Sequence, residues 1–295
     1  MHFSVLGPVL AQADDGTSLV LSRPSQRSTL AVLLLYPCQP PTRTQLIDAL
    51  WGDSPPRDPE TALRVRMRDL RRALAGQDRL ITHQAGYRIL VGKGELDAVS
   101  FRDLAARGRV ALDRGQPEDA ARLLTRACNL WREPPLADLP DTPSMRLTAE
   151  GLLDHWRDVR EWLLDARLGL GEHHGVLEQV RAVIAADPLA EHPYVQLMLA
   201  LYRCGQKSAA LAAYARLREL TAREFGQDPG PEAQALLRQM LADSPDLMFQ
   251  PRLSPGPVVA SRPPSASCRH HRPNSLGVTS ASRRSQGQRR RFSWE

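Results

Sequence analysis

The residues best suited to chemistry are closely spaced arginines between Thr61 and Leu74, where the sequence reads TALRVRMRDLRRAL. A guanidinium group is always charged, and its planar fork of N–H donors fits phosphate and carboxylate oxygens. At 3.6 residues per turn, one helical stripe is apolar and consists of Leu63, Met67, Leu70 and Leu74. A neighbouring arc carries Arg64, Arg68, Arg71 and Arg72, whereas Arg66 falls on the other side of the stripe. This pattern predicts a helix that buries one face and offers another to an anion, and a solvated charged face is the alternative.

Other reactive side chains lack the spacing that catalysis or metal binding requires. Glu172, His173 and His174 lie in a predicted turn without a third ligand at metal spacing, and the four cysteines form no CxxC pair. The sequence contains no GxxxxGK[ST], GxSxG or HExxH motif. We therefore predict a non-enzyme that needs neither a cofactor nor a metal ion.

Charge is distributed unevenly along the 295 residues, although the net charge is only +6. Residues 1–94 hold 12 basic and 8 acidic side chains, residues 95–249 hold 18 and 24, and residues 250–295 hold 9 and 1. Basic ends favour contact with a polyanion, and an acidic middle segment favours another role. Because no apolar run approaches the roughly 18 residues of a membrane span and no export signal is evident, a cytoplasmic protein without membrane contact is expected.

Residues 1–94 alternate between short apolar runs and helical patterns. Two or three strands are predicted, at 2–6, at 9–11 and, if there are three, at 19–21. They are followed by a buried helix at 26–36, a short helix between Thr42 and Gly52, the arginine helix from Asp58 to Leu74, and a hairpin formed by 79–82 and 87–91. Strands, three helices and a hairpin follow one another in this order in a winged helix-turn-helix. In that fold the last helix lies in the DNA major groove.

Residues 95–249 show internal repetition. Gly115, Gly171 and Gly205 each follow a helical pattern and precede another, and the last two glycines are 34 residues apart. That period is typical of tetratricopeptide repeats, in which helix pairs stack into an array. The longer interval before Gly171 predicts either a lengthened helix, for which 152–170 is long enough, or an inserted element.

Several motifs together resemble one protein family. They are VLGP at 5–8, LIDALWGD at 46–53, the ALxxxxxxLRRAL pattern at 62–74, GYRI at 86–89 and the helical sequence at 197–237. The chain is similar in these motifs to the Streptomyces antibiotic regulatory proteins, in which an OmpR-type winged helix precedes a bacterial transcriptional activation domain. The absence of a P-loop indicates a short form without an ATPase module.

The resemblance implies specific roles for residues of the N-terminal domain. The arginine helix becomes the recognition helix, and its candidate DNA contacts are Arg64, Arg66, Arg68, Arg71 and Arg72. Arg43 at the start of the second helix and Arg88 in the hairpin become candidate phosphate contacts. Asp69 departs from the family pattern, which is typically basic there, so the target sequence does not transfer simply.

The resemblance also implies an architecture and partners. The expected fold is mainly α, with an OmpR-like α+β winged helix at 1–94 and a helical-repeat activation domain at 95–249. For residues 250–295, in which Pro, Ser and Arg dominate, the composition itself predicts a disordered basic tail. The expected protein is an activator of a secondary-metabolite gene cluster that binds direct repeats in double-stranded DNA as a homodimer and recruits RNA polymerase holoenzyme. A repressor, or a helical-repeat scaffold or ligand sensor tethered to DNA, remains the alternative.

Overall fold

The computed structural model describes residues 1–36, 40–74, 78–136, 138–139 and 142–249. The tail that the sequence predicts to be disordered and basic therefore lies outside the described residues. The strands are β1 (His2–Ser4), β2 (Leu10–Gln12), β3 (Leu80–Thr82) and β4 (Tyr87–Ile89). The helices are α1 (Pro24–Leu35), α2 (Arg43–Trp51), α3 (Pro59–Ala73), α4 (Asp97–Asp113), α5 (Pro117–Cys128), α6 (Pro143–Gly169), α7 (His173–Ala186), α8 (Glu191–Arg203), α9 (Lys207–Phe225) and α10 (Pro231–Leu241).

The N-terminal part has the predicted order of strands, three helices and a hairpin. β1 and β2 pair antiparallel with Phe3 opposite Ala11, and β3 and β4 pair antiparallel with Ile81 opposite Arg88. The third run at 19–21 is not a strand, since pairing beyond β2 is reduced to one bridge between Gln12 and Ser18. Ser28–Leu34 of α1 are all buried, so this helix forms the centre of the winged-helix core.

The ends of α2 and α3 follow from local side-chain chemistry. Thr42 caps α2, because its hydroxyl accepts from the Gln45 backbone N–H at 3.2 Å while the Gln45 side chain accepts from the Thr42 N–H at 2.9 Å. Gly52 ends α2 with a positive φ of 53°. Asp58 then caps α3 by accepting from the Thr61 N–H at 3.0 Å. These signals fix both helices of the helix-turn-helix at the predicted positions.

Three helices of residues 95–249 end in the same way. Gly115, Gly171 and Gly205 follow α4, α6 and α8 with φ values of 64°, 85° and 76°. The residue after each glycine donates its backbone N–H to a carbonyl in the last turn of the preceding helix. Gln116, for example, donates to the Ala111 carbonyl at 2.9 Å. The left-handed conformation favours glycine, so the three predicted repeat boundaries coincide with real helix ends.

α6 begins nine residues earlier than the predicted start at 152. The Thr142 hydroxyl accepts from the Met145 N–H at 3.3 Å and donates to the Ala49 carbonyl of α2 at 2.9 Å. The extra turns of α6 thus reach back to the helix-turn-helix.

The buried side chains form two clusters that divide within α6. The first runs from Met1 to Ala166 and joins the winged helix to α4, α5 and the first part of α6. The second runs from Leu164 to Leu247 and joins the end of α6 to α7, α8, α9 and α10. No helix of the described chain has the length and apolarity to cross a membrane.

Candidate nucleic-acid interface

The two faces of α3 differ sharply in exposure. Leu63, Met67 and Leu70 are fully buried in the first cluster. The opposite face is exposed and carries Thr61, Arg64, Val65, Arg68, Arg71 and Arg72. The apolar stripe therefore fixes the helix to its domain and leaves a row of guanidinium groups in solvent, as the sequence pattern predicts.

Arg64, Arg68 and Arg72 form the middle of this exposed row. Arg64 donates to the Thr61 hydroxyl at 2.7 Å, which orients its guanidinium along the helix. Arg68 is 60% exposed, and its only carboxylate neighbour among the described residues is the adjacent Asp69 at 3.7 Å. Such a distant, exposed ion pair contributes little and leaves most of the N–H donors of Arg68 available.

Arg71 joins α3 to the hairpin. Its guanidinium donates to the Thr82 hydroxyl at 2.7 Å and approaches the Leu80 carbonyl at 3.4 Å. The residue remains exposed. Arg71 therefore orients β3 relative to α3 and keeps further donors for an anion.

The turn of the hairpin packs against the start of α2. The Arg43 backbone N–H donates to the Ala85 carbonyl at 3.0 Å, and a Cβ at Gly86 would lie 2.1 Å from the Pro41 carbonyl oxygen. Only glycine fits there. This contact holds the start of α2 against the hairpin. The Arg43 side chain is exposed, whereas that of Arg88, in β4, is half-buried.

Arg66 is separated from the other arginines of α3. Its guanidinium lies 4.5 Å from the ring centroid of Trp51, and its Nη1 donates to the Ser28 hydroxyl at 3.4 Å. Burial lowers the pKa of Arg66 from its ordinary value. The structure thus places this candidate against α1 and α2, where it packs within the domain and does not share the exposed row.

Thr61 and Val65 belong to the exposed row but were not predicted as site residues. Val65 is 39% exposed between Arg64 and Arg68. An apolar side chain at such a position can contact a thymine methyl group. The signal was their spacing, because Thr61, Val65, Arg68 and Arg72 recur every three or four residues.

Asp69 does not lie in the exposed row. It is 23% exposed and pairs with Arg23, at the start of α1, and with Arg68, both at 3.7 Å. Asp69, the residue that departs from the family pattern, therefore links α3 to α1 beside the exposed row.

The histidines at the start of α7 form no metal site. His173 is buried, stacks edge-on against Phe249 with ring centroids 5.2 Å apart, and has a pKa lowered by burial. Within the part of the chain that is described, no group of three or more His, Cys, Asp or Glu side chains is arranged to hold a metal ion.

Two family models match the chain in the order that the structure displays. Residues 16–89 match the model described as "Transcriptional regulatory protein, C terminal". Residues 96–241 match the model "Bacterial transcriptional activator domain". The first match includes the helix-turn-helix and hairpin, and the second covers the helical repeats from the start of α4 to the end of α10.

Three relatives and one solved structure show the same relationship. The regulatory protein AfsR of Streptomyces griseus is 36% identical over 90% of this chain, which spans only 27% of AfsR. MoaR1 of Mycobacterium tuberculosis, a transcriptional regulatory protein, is 33% identical over 83% of the chain and 80% of its own length. DnrI of Streptomyces peucetius is 29% identical, with 84% and 94% covered. The structure of Mycobacterium tuberculosis EmbR in complex with a low-affinity phosphopeptide superposes with a TM-score of 0.77 at 30% identity, covering 83% of this chain and 65% of EmbR. The chain therefore belongs to the Streptomyces antibiotic regulatory protein family of transcriptional regulators, with an OmpR-type winged helix followed by a bacterial transcriptional activation domain.

Proposed function

We propose that this regulator binds specific DNA sequences through α3 and activates transcription from nearby promoters. The observation that carries the proposal is the exposed row of α3, whose guanidinium groups face solvent while the helix is held from behind by buried leucine and methionine side chains. A helix held in this way can enter a major groove, where arginine pairs with guanine O6 and N7 or with phosphate oxygens.

Different parts of the surface have different roles in this proposal. Arg64, Arg68 and Arg72 contact bases and phosphates in the groove, and Val65 packs against a thymine methyl group. Arg71, Arg43 and Arg88 contact the backbone beside the groove, Arg71 from the junction between α3 and the hairpin. Arg66 is left out of the contact set, because its guanidinium is stacked on Trp51.

Family membership extends the proposal beyond DNA binding. The chain would act in the cytoplasm as a homodimer on direct repeats, recruit RNA polymerase holoenzyme through the activation domain, and regulate a secondary-metabolite gene cluster. The acidic balance of residues 95–249, with 24 acidic and 18 basic side chains, supports a surface that contacts protein and avoids DNA. AfsR and DnrI, described as regulatory proteins from Streptomyces, support this assignment.

The DNA-binding proposal is tested by gel shifts across a salt series, using the promoter regions beside the gene that encodes the chain. Arg68→Ala and Arg72→Ala should each weaken binding. Each lost phosphate contact should lower the slope of log affinity against log salt by about 1. A lost guanine contact should instead reduce discrimination at one base pair by about 1–3 kcal/mol.

Arg107→Ala provides a matched control, because Arg107 is also an exposed helical arginine and pairs with Asp103 on α4 at 3.2 Å. It should leave affinity and salt slope unchanged. Equal losses of DNA affinity in all three variants would show that only the total positive charge matters. Unchanged binding by Arg68→Ala and Arg72→Ala would rule out the assigned face of α3.

Activation is tested separately with a reporter gene placed behind the bound promoter. Expression of the chain without added ligand should raise reporter output, and Arg68→Ala should abolish the increase. A fall in output would identify a repressor, and a response confined to an added metabolite would identify a ligand-dependent sensor.

A further inference from the structure

A cavity of about 460 Å³ opens between the end of α5, the middle of α6 and α7. Its volume falls within the range of small-molecule sites, which is roughly 300–1,000 Å³. The wall is largely apolar and includes Trp131, Trp156, Leu153, Leu163 and Leu164. None of the proposed DNA contacts lies in it, so it is separate from the candidate nucleic-acid interface.

The two tryptophans form an aromatic side of the cavity. The rings of Trp131 and Trp156 have centroids 5.5 Å apart and are tilted by 40°. Trp131 is supported from behind by Phe101, at 5.5 Å in an edge-on arrangement. Flat indole surfaces of this kind stack with planar rings, and offset or tilted pairs are favourable.

One cation in the wall, Arg160, stacks on an aromatic ring. The Arg160 guanidinium lies 4.6 Å from the Trp156 centroid, is half-buried, and forms no ion pair within the described residues. A guanidinium above an aromatic face keeps its in-plane N–H groups available for a carboxylate. The other lining arginine, Arg132, approaches Asp97 at 3.7 Å and donates to the Pro8 carbonyl at 3.3 Å. Glu133 is exposed at the rim.

From this combination we propose that the cavity binds a small planar aromatic acid. The ring system stacks on Trp131 and Trp156, and the acid group receives N–H donors from Arg160. The apolar leucines exclude ligands that are polar throughout, while the free guanidinium favours an anion over a neutral ring of the same shape.

The location of the cavity gives such a ligand a route to the winged helix. The backbone N–H of Arg132 donates to the Leu6 carbonyl at 3.0 Å, and a Cβ on Gly7 would lie 3.2 Å from the Arg132 Cβ. The rim of the cavity therefore packs directly on the loop between β1 and β2. The proposal itself concerns binding, and its test uses no DNA, so its result is independent of whether α3 binds DNA.

The test is calorimetric titration of the full chain with 2-naphthoate, compared with the neutral analogue 2-naphthalenemethanol. We expect saturable 1:1 binding of the acid, with the alcohol weaker by on the order of tenfold, as for the loss of one charge-assisted hydrogen bond. Arg160→Gln should reduce the affinity for the acid to that for the alcohol and leave the affinity for the alcohol unchanged. Absence of saturable binding would overturn the proposal.

Arg109→Gln is the matched control, because Arg109 also lies over a tryptophan, 5.4 Å from the Trp162 centroid, but lies outside the cavity and pairs with Asp113. It should bind 2-naphthoate like the wild type, and an equal loss of affinity in both variants would refute the assignment.

A second readout needs no variant. Cys128 lines the cavity and Cys204 does not. Saturating 2-naphthoate should slow N-ethylmaleimide labelling of Cys128 but not of Cys204, and equal rates at Cys128 with and without ligand would also overturn the proposal.

Discussion

Individual arginines on α3 differ in their surroundings, and the surroundings determine what each can bind. Arg68 is 60% exposed, with one distant carboxylate neighbour. Arg66, two residues earlier, is stacked on Trp51 and hydrogen-bonded to Ser28. A rotation of about 200° around the helix separates the two side chains. Residues of the same type in one helix therefore divide between packing and the proposed recognition of DNA.

Arg66→Ala should lower stability without a matching loss of DNA affinity. The substitution removes a partly buried cation–π contact and the packing of the aliphatic stem, for an expected loss of about 1–2 kcal/mol. Urea denaturation measures this loss. At concentrations where the variant is folded, its DNA affinity should stay within about twofold of wild type. A large loss of DNA affinity at unchanged stability would show that Arg66 contacts DNA.

The sequence predicted the division of α3 only in part. Angular position set Arg66 apart from Arg64, Arg68, Arg71 and Arg72, because helical geometry is local. The partners of Arg66 belong to α1 and α2, so the stacking on Trp51 depends on tertiary packing that spacing does not encode. Val65 was overlooked for a simpler reason, since an exposed apolar residue among charges carries no strong signal of its own.

At the scale of elements, local signals located the helix ends well. Thr42, Asp58 and the three repeat glycines act through neighbouring backbone groups, so their effect can be recognised from a few residues. The start of α6 was predicted nine residues too late. The Thr142 hydroxyl also bonds to Ala49 of α2, and a contact across 93 residues is invisible to local pattern.

A histidine connects three helices of the activation domain. His192 on α8 lies 3.0 Å from the Asp165 carboxylate on α6 and 3.5 Å from the Glu232 carboxylate on α10. The hydrogen bond to Asp165, supported by nearby carboxylates, raises the pKa of His192 to about 9, although burial opposes the shift. The protonated imidazolium thus stabilises the folded arrangement of these helices.

The stability of this domain should therefore depend on pH between about 6.5 and 9. A pKa raised in the folded state contributes its full stabilisation below the unfolded value of about 6.5 and loses it as pH rises through 9. His192→Gln should remove about 1 kcal/mol at pH 6, a value reduced for solvent screening because His192 is 34% exposed, and almost nothing at pH 9.5. Urea denaturation of both proteins at the two pH values measures the difference. An equal loss at both would show that the ion pair contributes nothing.

At the scale of the whole molecule, the winged helix and the first repeat helices share one core. Phe3 of β1 donates its N–H to the Glu95 carbonyl at 2.6 Å, just before α4. The Asp97 carboxylate at the start of α4 accepts the Val5 N–H at 2.9 Å and the Leu6 N–H at 3.1 Å. Burial raises the pKa of Asp97, and these donors oppose that rise. Motifs located each part separately, but no local pattern indicated that the two parts share buried surface.

Asp97→Ala should loosen this connection. The change leaves two buried backbone N–H groups without their acceptor, at a cost of about 2–4 kcal/mol. Thermal unfolding should show a lower midpoint, whereas Asp103→Ala, at an exposed position on the same helix, should not. An unchanged midpoint in Asp97→Ala would mean that water replaces the carboxylate at no cost.

The shared core also determines where related regulators can exchange their N-terminal parts. A chimera joined at residue 94 would part Phe3 and Leu6 from their hydrogen-bond partners Glu95, Asp97 and Arg132, so it should express poorly and precipitate. A junction after Gly169 keeps the first buried cluster intact and should give a soluble protein. In this chain, the smallest unit that can be exchanged intact should therefore be the winged helix together with α4, α5 and α6.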